Sequence, residues 1–342
     1  MDGLCHGWEL PDAGGTAMDF TAHEISSAPG ECIIKVVGVG GCGSNAVGHM
    51  VFSGLQGVTF IAADTDAQAL AMIRVGQAVK LGPEGFFERS GPMVGQWVAE
   101  YSLAAVKDAI GEAHLVFIVA GMGGSTGTGA APIIAEAAKE TGALTVGVVT
   151  RPWRFEGRKR METAEAGIAE LYRHVDSLVV LPCEHLYQAG PEQGALGDIF
   201  KQADGMMAAA VGCVSDALAR PGCITLGLAD VAGVLRGGGM AVMGIGAASG
   251  ENRARAAVMQ ALGCPLLEGA SLGSARGVLL TLTAGPALSL AEVNDAYAAI
   301  LDETREDALI GPSVVLEESM GDEMRVAFIA TTSSSILGSV SK

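Results

Sequence analysis

The stretch AGMGGSTGTGAAP, residues 120–132, sets Gly123, Gly124, Gly127 and Gly129 among the hydroxyls of Ser125, Thr126 and Thr128. It follows the apolar run LVFIV and precedes IIAEAAKETGA, whose apolar residues recur at helical spacing. A glycine turn between a strand and a helix lets backbone N–H groups converge on an anion, and the helix N-terminus adds partial positive charge. With hydroxyl donors in the same loop, the chemistry is recognition of a di- or triphosphate. An earlier turn, the first along the chain, is GVGGCGSN at residues 38–45; it carries G-x-G-x-x-G at Gly38, Gly40 and Gly43, and Asp64 closes the following strand. That pattern suits a dinucleotide with Asp64 on a ribose hydroxyl, and tight structural turns satisfy it equally. Neither turn contains a lysine, so G-x-x-x-x-G-K-[ST] is absent and a P-loop enzyme is excluded. An NAD-dependent Rossmann oxidoreductase remains the alternative that the first turn admits, but it leaves the second turn without a task.

Positioning these turns requires strands and helices in alternation. IIKVVGV, VTFIAAD, LVFIVAG, LTVGVVT and SLVVLP are apolar strands, separated by NAVGHMVF, AQALAMI, a helix over 94–110, a helix from Thr126 and a helix over 158–174. Buried strands alternating with helices give a parallel α/β sheet. A long helical segment over 198–219 follows, and PGCITLGLAD breaks it. Beyond it the strands AVMGIGAA, GVLLTLTAG, SVVLEES and MRVAFIATT and the helices ENRARAAVMQAL and SLAEVNDAYAAIL form an α+β unit. The expected fold is α/β. It comprises a flexible arm (1–30), a Rossmann-like parallel-sheet nucleotide-binding domain (31–196), a long core helix (197–222), a smaller α+β domain (223–333) and a short tail (334–342).

Bulk composition narrows the partners. The chain has 342 residues, 49% of them hydrophobic, 17% charged, with a net charge of −17. It is globular rather than disordered, and it repels nucleic acid and anionic lipid. No apolar run reaches the roughly 18 residues a membrane-spanning helix needs, and the N-terminus lacks the basic and apolar regions of a secretory signal. The 7 cysteines are dispersed without C-x-x-C, which fits reduced thiols in a cytoplasmic protein. The 6 histidines are scattered and suggest no metal site.

The segments IKVVGVGGCGSNAV, DTDAQAL, VFIVAGMGGSTGTGAAPIIAEAAKETGALTVGVVT, FEGRKRM and HVDSLVVLP resemble the tubulin/FtsZ superfamily, in FtsZ order, over about residues 32–330. The resemblance implies a filament-forming cytoskeletal GTPase of cell division that binds GTP or GDP. Gly40, Gly41, Cys42, Gly43, Ser44 and Asn45 would hold the phosphates from one side. Gly123, Gly124, Ser125, Thr126, Gly127, Thr128 and Gly129 would hold them from the other. Glu156 and Arg160 match ribose-region contacts, and Asp204 matches the acid that accepts guanine N1–H and N2–H2. By residue type alone, Glu156 and Arg160 also suit a surface i, i+4 ion pair, and Asp204 also suits a solvated helix position. Mg2+ is implied through the phosphates, with no protein ligand assigned.

Several positions depart from the family pattern. The loop that enters the neighbouring subunit's site should read N-x-D-x-x-D. Here Thr225 and Gly227 occupy the first two positions and only Asp230 is retained. Losing a water-positioning group costs about 10²–10⁴ in rate, so hydrolysis is expected to be weak or absent in homopolymers. Phe86, Phe87, Glu88 and Arg89 replace a run of small residues over the terminal phosphate. Cys183 and Glu184 replace Asn–Asp, and Asp64 replaces an Asn beside the phosphates. The C-terminal peptide that docks on membrane anchors is missing, so no direct membrane binding is expected. The expected partners are copies of the chain, head to tail, and an ordinary FtsZ with which it co-assembles or which it modulates.

Overall fold

The computed structural model describes residues 32–332 apart from 86–90, 185–195, 221, 238 and 268–269. The expected arm (1–30), the tail (334–342) and Phe86, Phe87, Glu88 and Arg89 lie outside the described residues.

The first half alternates as its apolar runs dictate: β1 (Ile34–Val39), α1 (Gly40–Phe52), β2 (Thr59–Asp64), α2 (Ala67–Met72), β3 (Gln77–Lys80), α3 (Pro92–Tyr101), α4 (Leu103–Ile110), β4 (Leu115–Gly121), α5 (Thr126–Glu140), β5 (Leu144–Arg151), α6 (Arg158–His174) and β6 (Ser177–Pro182). The single helix expected over 94–110 is two. Ser102 interrupts it, because its buried hydroxyl accepts the Gly82 N–H at 2.8 Å instead of facing solvent. The long helix α7 (Leu196–Ala219) leads into the short edge strand β7 (Gly222–Ile224) and α8 (Leu228–Leu235). The second half follows as β8 (Gly239–Ser249), α9 (Arg253–Leu262), β9 (Ala275–Ala284), α10 (Leu290–Leu301), β10 (Leu309–Leu316) and β11 (Glu323–Thr332).

Among the described residues the strands form one sheet, ordered β3-β2-β1-β4-β5-β6-β8-β11-β9-β10-β7. Strands β1 to β6 pair in parallel. A short parallel pairing, Ser177↔Gly239 to Val179↔Ala241, carries the sheet into the second half, where β11 lies antiparallel between β8 and β9. Helix α7 crosses this junction. Met207, Val211 and Val214 pack with Val47 and Met50 of α1 and with Leu279 and Ile329 of the second half in one core cluster. The opposite face of the first half is closed by α3 to α6 through residues such as Ile110, Ile134 and Ile168. Strand β5 is buried along its whole length, as a central parallel strand covered on both faces must be.

The strand order reverses at β1, with β2 on one side and β4 on the other. Open α/β sheets bind ligands outside the carboxyl ends of the strands at such a switch point. Both glycine turns leave those two strand ends.

Candidate nucleotide site

The first turn is short because α1 begins at Gly40, directly after β1. Gly40 has φ +70°, and a Cβ there would stand 2.9 Å from the Gly127 nitrogen. A side chain would therefore separate the two turns. Gly43 sits one turn inside α1, where a Cβ would strike the Val119 carbonyl oxygen of β4. It sets the helix against the strand.

The second turn is held by its own hydroxyls. Gly123 has φ +101° and donates its N–H to Thr128 Oγ1 at 2.8 Å. Ser125 Oγ accepts the Gly91 N–H at 2.8 Å, and Thr126 Oγ1 lies 3.2 Å from Thr65 Oγ1. The loop thus arrives with part of its donor set engaged in shaping itself.

Between the turns opens a cavity of about 850 Å³, a size that suits a nucleotide. Gly40, Gly41 and Cys42 line it on one side, and Gly123, Gly124, Ser125, Thr126 and Gly127 on the other. Gly43, Ser44 and Asn45 are not in the lining; the first two are buried in α1 and Asn45 is exposed. Thr128 and Gly129 line a separate groove between α3, α5 and α6.

The start of α6 forms a third wall. Glu156 and Arg160 both line the cavity. Glu156 Oε2 meets Arg160 Nε at 3.0 Å while its Oε1 accepts the Trp153 N–H at 2.9 Å. The pair is an ion pair, as the i, i+4 spacing allows, and it is also part of the cavity wall. Lys159 and Asp66 line the cavity too and were not singled out by sequence. Lys159 had a signal, its place between Glu156 and Arg160 in FEGRKRM.

Asp204 lies on α7, half-buried, and burial pushes its carboxyl up to about 6. Its charge, with that of Glu156, acts on the buried Cys183 thiol, which burial itself raises to about 12. Cys42, whose Sγ lies 3.8 Å from Thr150 Oγ1, adds to that rise. Asp204 and Phe200 are not in the cavity lining, but the charge of Asp204 is felt at Cys42, which is. Phe200, one helical turn before Asp204, is 46% exposed and meets Trp153 edge-on with ring centroids 6.5 Å apart. An aromatic face beside a carboxylate can stack a base while the acid accepts its N–H groups. The i, i+4 spacing of Phe200 and Asp204 was the available signal.

The loop after β7 is built differently. Thr225, Gly227 and Asp230 are exposed, and none of them lines the cavity of their own chain. Asp230 Oδ2 accepts the Gly227 N–H at 2.9 Å and closes the first turn of α8. Gly227 has φ −83°, so its backbone does not require glycine.

A model of the Tubulin/FtsZ family GTPase domain matches residues 33–191, and a model of the FtsZ family C-terminal domain matches 239–334. A cell division protein FtsZ from Pseudomonas putida is 46% identical over 310 residues, covering 90% of this chain and 78% of that protein. The chain belongs to the Tubulin/FtsZ family. A second relative, cell division protein FtsZ from Bartonella bacilliformis, is 45% identical over 92% of this chain, which spans only 54% of that longer protein. Among solved structures, an FtsZ dimer from M. jannaschii superposes with a TM-score of 0.83 at 35% identity, covering 88% of each chain.

Within this Tubulin/FtsZ frame, both turns, Glu156 and Arg160 fall inside the matched GTPase segment, while Asp204 and the loop at 225–230 fall between the two matched segments. The Rossmann oxidoreductase alternative finds no support, since both turns serve one cavity in a family of GTP-binding proteins. Among the described residues no helix is long and apolar enough to cross a membrane.

Proposed function

We propose that this chain binds GTP or GDP in the cavity between its two glycine turns, stacks head to tail into filaments, and hydrolyses GTP slowly when assembled alone. One observation carries the reading, the mismatch between a fully built cavity and a loop that offers a single acid already capping its own helix. Phosphates would lie against Gly40–Gly41 and Gly123–Gly127, the ribose beside Glu156 and Arg160, and guanine against Asp204 with Phe200 beneath it. A carboxylate suits the N1–H and N2–H2 donors of guanine, and adenine offers no such pair. Head-to-tail contacts are heterologous and do not close, so they propagate as filaments.

The same mismatch supports co-assembly. Added to an ordinary FtsZ filament, the chain would receive a competent loop in its own cavity and present a poor one to its other neighbour, braking turnover there. GTP turnover across a protein concentration series, with sedimentation of the same samples, tests the first reading. Filaments with little turnover are expected; turnover climbing steeply above a critical concentration would sink the slow-hydrolysis reading. Mixing with an ordinary FtsZ tests the second, which fails if the two neither co-sediment nor change each other's turnover.

A further inference from the structure

Helix α3 has two faces of opposite character. Its inner face is made of Gly95, Val98 and Ala99, all buried. Gly95 lies so close to α5 that a Cβ would strike the Ser125 carbonyl oxygen, and a Cβ on Gly129 of α5 would strike the Pro92 carbonyl oxygen. The two glycines let the helices touch backbone to backbone, while Val98 and Ala99 join the core on this side of the sheet. The outer face carries Met93, Trp97 and Tyr101, at i, i+4 and i+8, which are 84%, 46% and 61% exposed. Trp97 and Tyr101 pack on each other with ring centroids 5.9 Å apart. None of the three lines the nucleotide cavity. Residues spaced by four form a ridge along a helix, and such a ridge packs into the groove of a facing helical surface.

A groove adjoins this ridge. It has a volume of about 570 Å³ and is lined by Met93 and Gln96 of α3, Pro132 and Ile133 of α5, and Thr163 and Ala166 of α6. Ridge and groove share one surface, so a two-fold rotation lays the ridge of each copy in the groove of the other. The charges agree with that pairing. The chain carries −17, so two copies repel over most of their surface, but α3 itself has a single charged residue, Glu100. Glu100 stands at the Tyr101 end of the ridge, whereas Lys159 borders the groove together with Pro92, at the other end of α3. Antiparallel α3 helices bring each Glu100 toward the partner copy's Lys159, a complementary pair. The acids that border the groove, Glu162 and Glu170, are already paired with Arg158 and Arg173 of their own chain.

We infer that the outer face of α3 is a contact between two copies of this chain, antiparallel about a two-fold axis and separate from any head-to-tail contact. Side chains of this size bury on the order of 300–400 Å² per copy here, about half of the roughly 800 Å² per partner of a stable complex. The pair is therefore weak between isolated chains, with a Kd of about 10–100 μM, and it strengthens where copies are already held in line.

The test is sedimentation velocity of the full chain without nucleotide, from about 1 to 300 μM at constant ionic strength, a range that brackets that Kd. The wild type is expected to move from monomer toward dimer as concentration rises. Met93→Glu with Tyr101→Glu sets acids against each other across the axis and should weaken the dimer about tenfold or more. Nucleotide competition on the same protein should match the wild type, since neither residue lines the cavity. Should the double variant not melt cooperatively, Tyr101→Lys takes its place, with a loss of about fivefold expected. A wild type that stays monomeric across the whole range overturns the inference. So does a dimer that the substitutions leave unchanged, because it then forms through another surface.

Discussion

The nucleotide cavity and the loop at 225–230, which contributes nothing to the cavity's lining, are built to different standards. At the cavity, glycine is required by packing: a side chain at Gly40 would meet the Gly127 backbone and part the turns, and one at Gly127 would strike the Gly121 carbonyl. At the loop, glycine is merely present: Gly227 has ordinary φ, and a Cβ there meets only Asp230 Oδ2, at 3.3 Å. The cavity's hydroxyls and carboxylates are cross-linked to one another, whereas the loop's acid is hydrogen-bonded within its own helix turn. The cavity is fixed by close backbone packing and cross-linked side chains, whereas the loop is held by one local hydrogen bond, so on the proposed reading a change in the loop leaves the cavity's construction untouched.

The sharpest way to break that comparison is to repair the loop. Thr225→Asn with Gly227→Asp should raise filament GTP turnover by about 10²–10⁴, measured as phosphate release above the critical concentration. Gly227 accepts the change sterically, and Asp is a favoured helix N-cap. Unchanged turnover in well-formed filaments would mean that the loop is not where the two regions differ.

Damage to the cavity should have a smaller effect and on binding alone. Asp204→Asn exchanges a charged acceptor for an amide that also presents donors to guanine. A hydrogen bond to a charged group contributes about 1.5–3 kcal/mol, so GTP affinity should fall about 10- to 100-fold, read by nucleotide competition. Affinity within twofold of the wild type would remove Asp204 from the base site.

Acid should act through the same carboxyl. Burial disfavours the charge of Asp204 and pushes its carboxyl up to about 6. Guanine donors need the ionised form, so affinity should be full at neutral pH and fall about tenfold on reaching pH 5. The empty protein should respond in the opposite sense. A folded-state value above that of the unfolded chain means that this group's contribution to stability is present at low pH and lost as pH rises through about 6. Melting temperatures measured with and without nucleotide across that window check both signs.

The smallest effect separates the two tasks of Asp230. Asp230→Asn keeps an acceptor for the Gly227 N–H, so stability should hold while residual turnover drops. Asp230→Ala also loses the bond that closes α8 and should cost about 1 kcal/mol, seen by chemical denaturation. Equal turnover in all three proteins would make Asp230 a capping residue only.

The sequence by itself determined both glycine turns, the strands before them and the helices after them, because a glycine run between an apolar strand and an amphipathic helix is a local signal. It also located the departures at Thr225, Gly227 and Asp64, since residue identity alone decides whether a carboxylate is present. The family resemblance pointed to Asp204, and Phe200 one turn before it was a hint at a base site, but how far Asp204 is buried depends on elements from elsewhere in the chain. Only the tertiary structure decided which donors face the cavity. Thr128 and Ser125 have the same kind of hydroxyl, yet Thr128 Oγ1 accepts the Gly123 N–H, while Ser125 stays in the lining. Only the strand order brought Asp64, the two turns and the start of α6 to one switch point. The physical reason is the range of the interactions. Turn and helix preferences are set by neighbours along the chain, whereas charge balance, burial and the use of each polar group depend on strands that meet from distant parts of it.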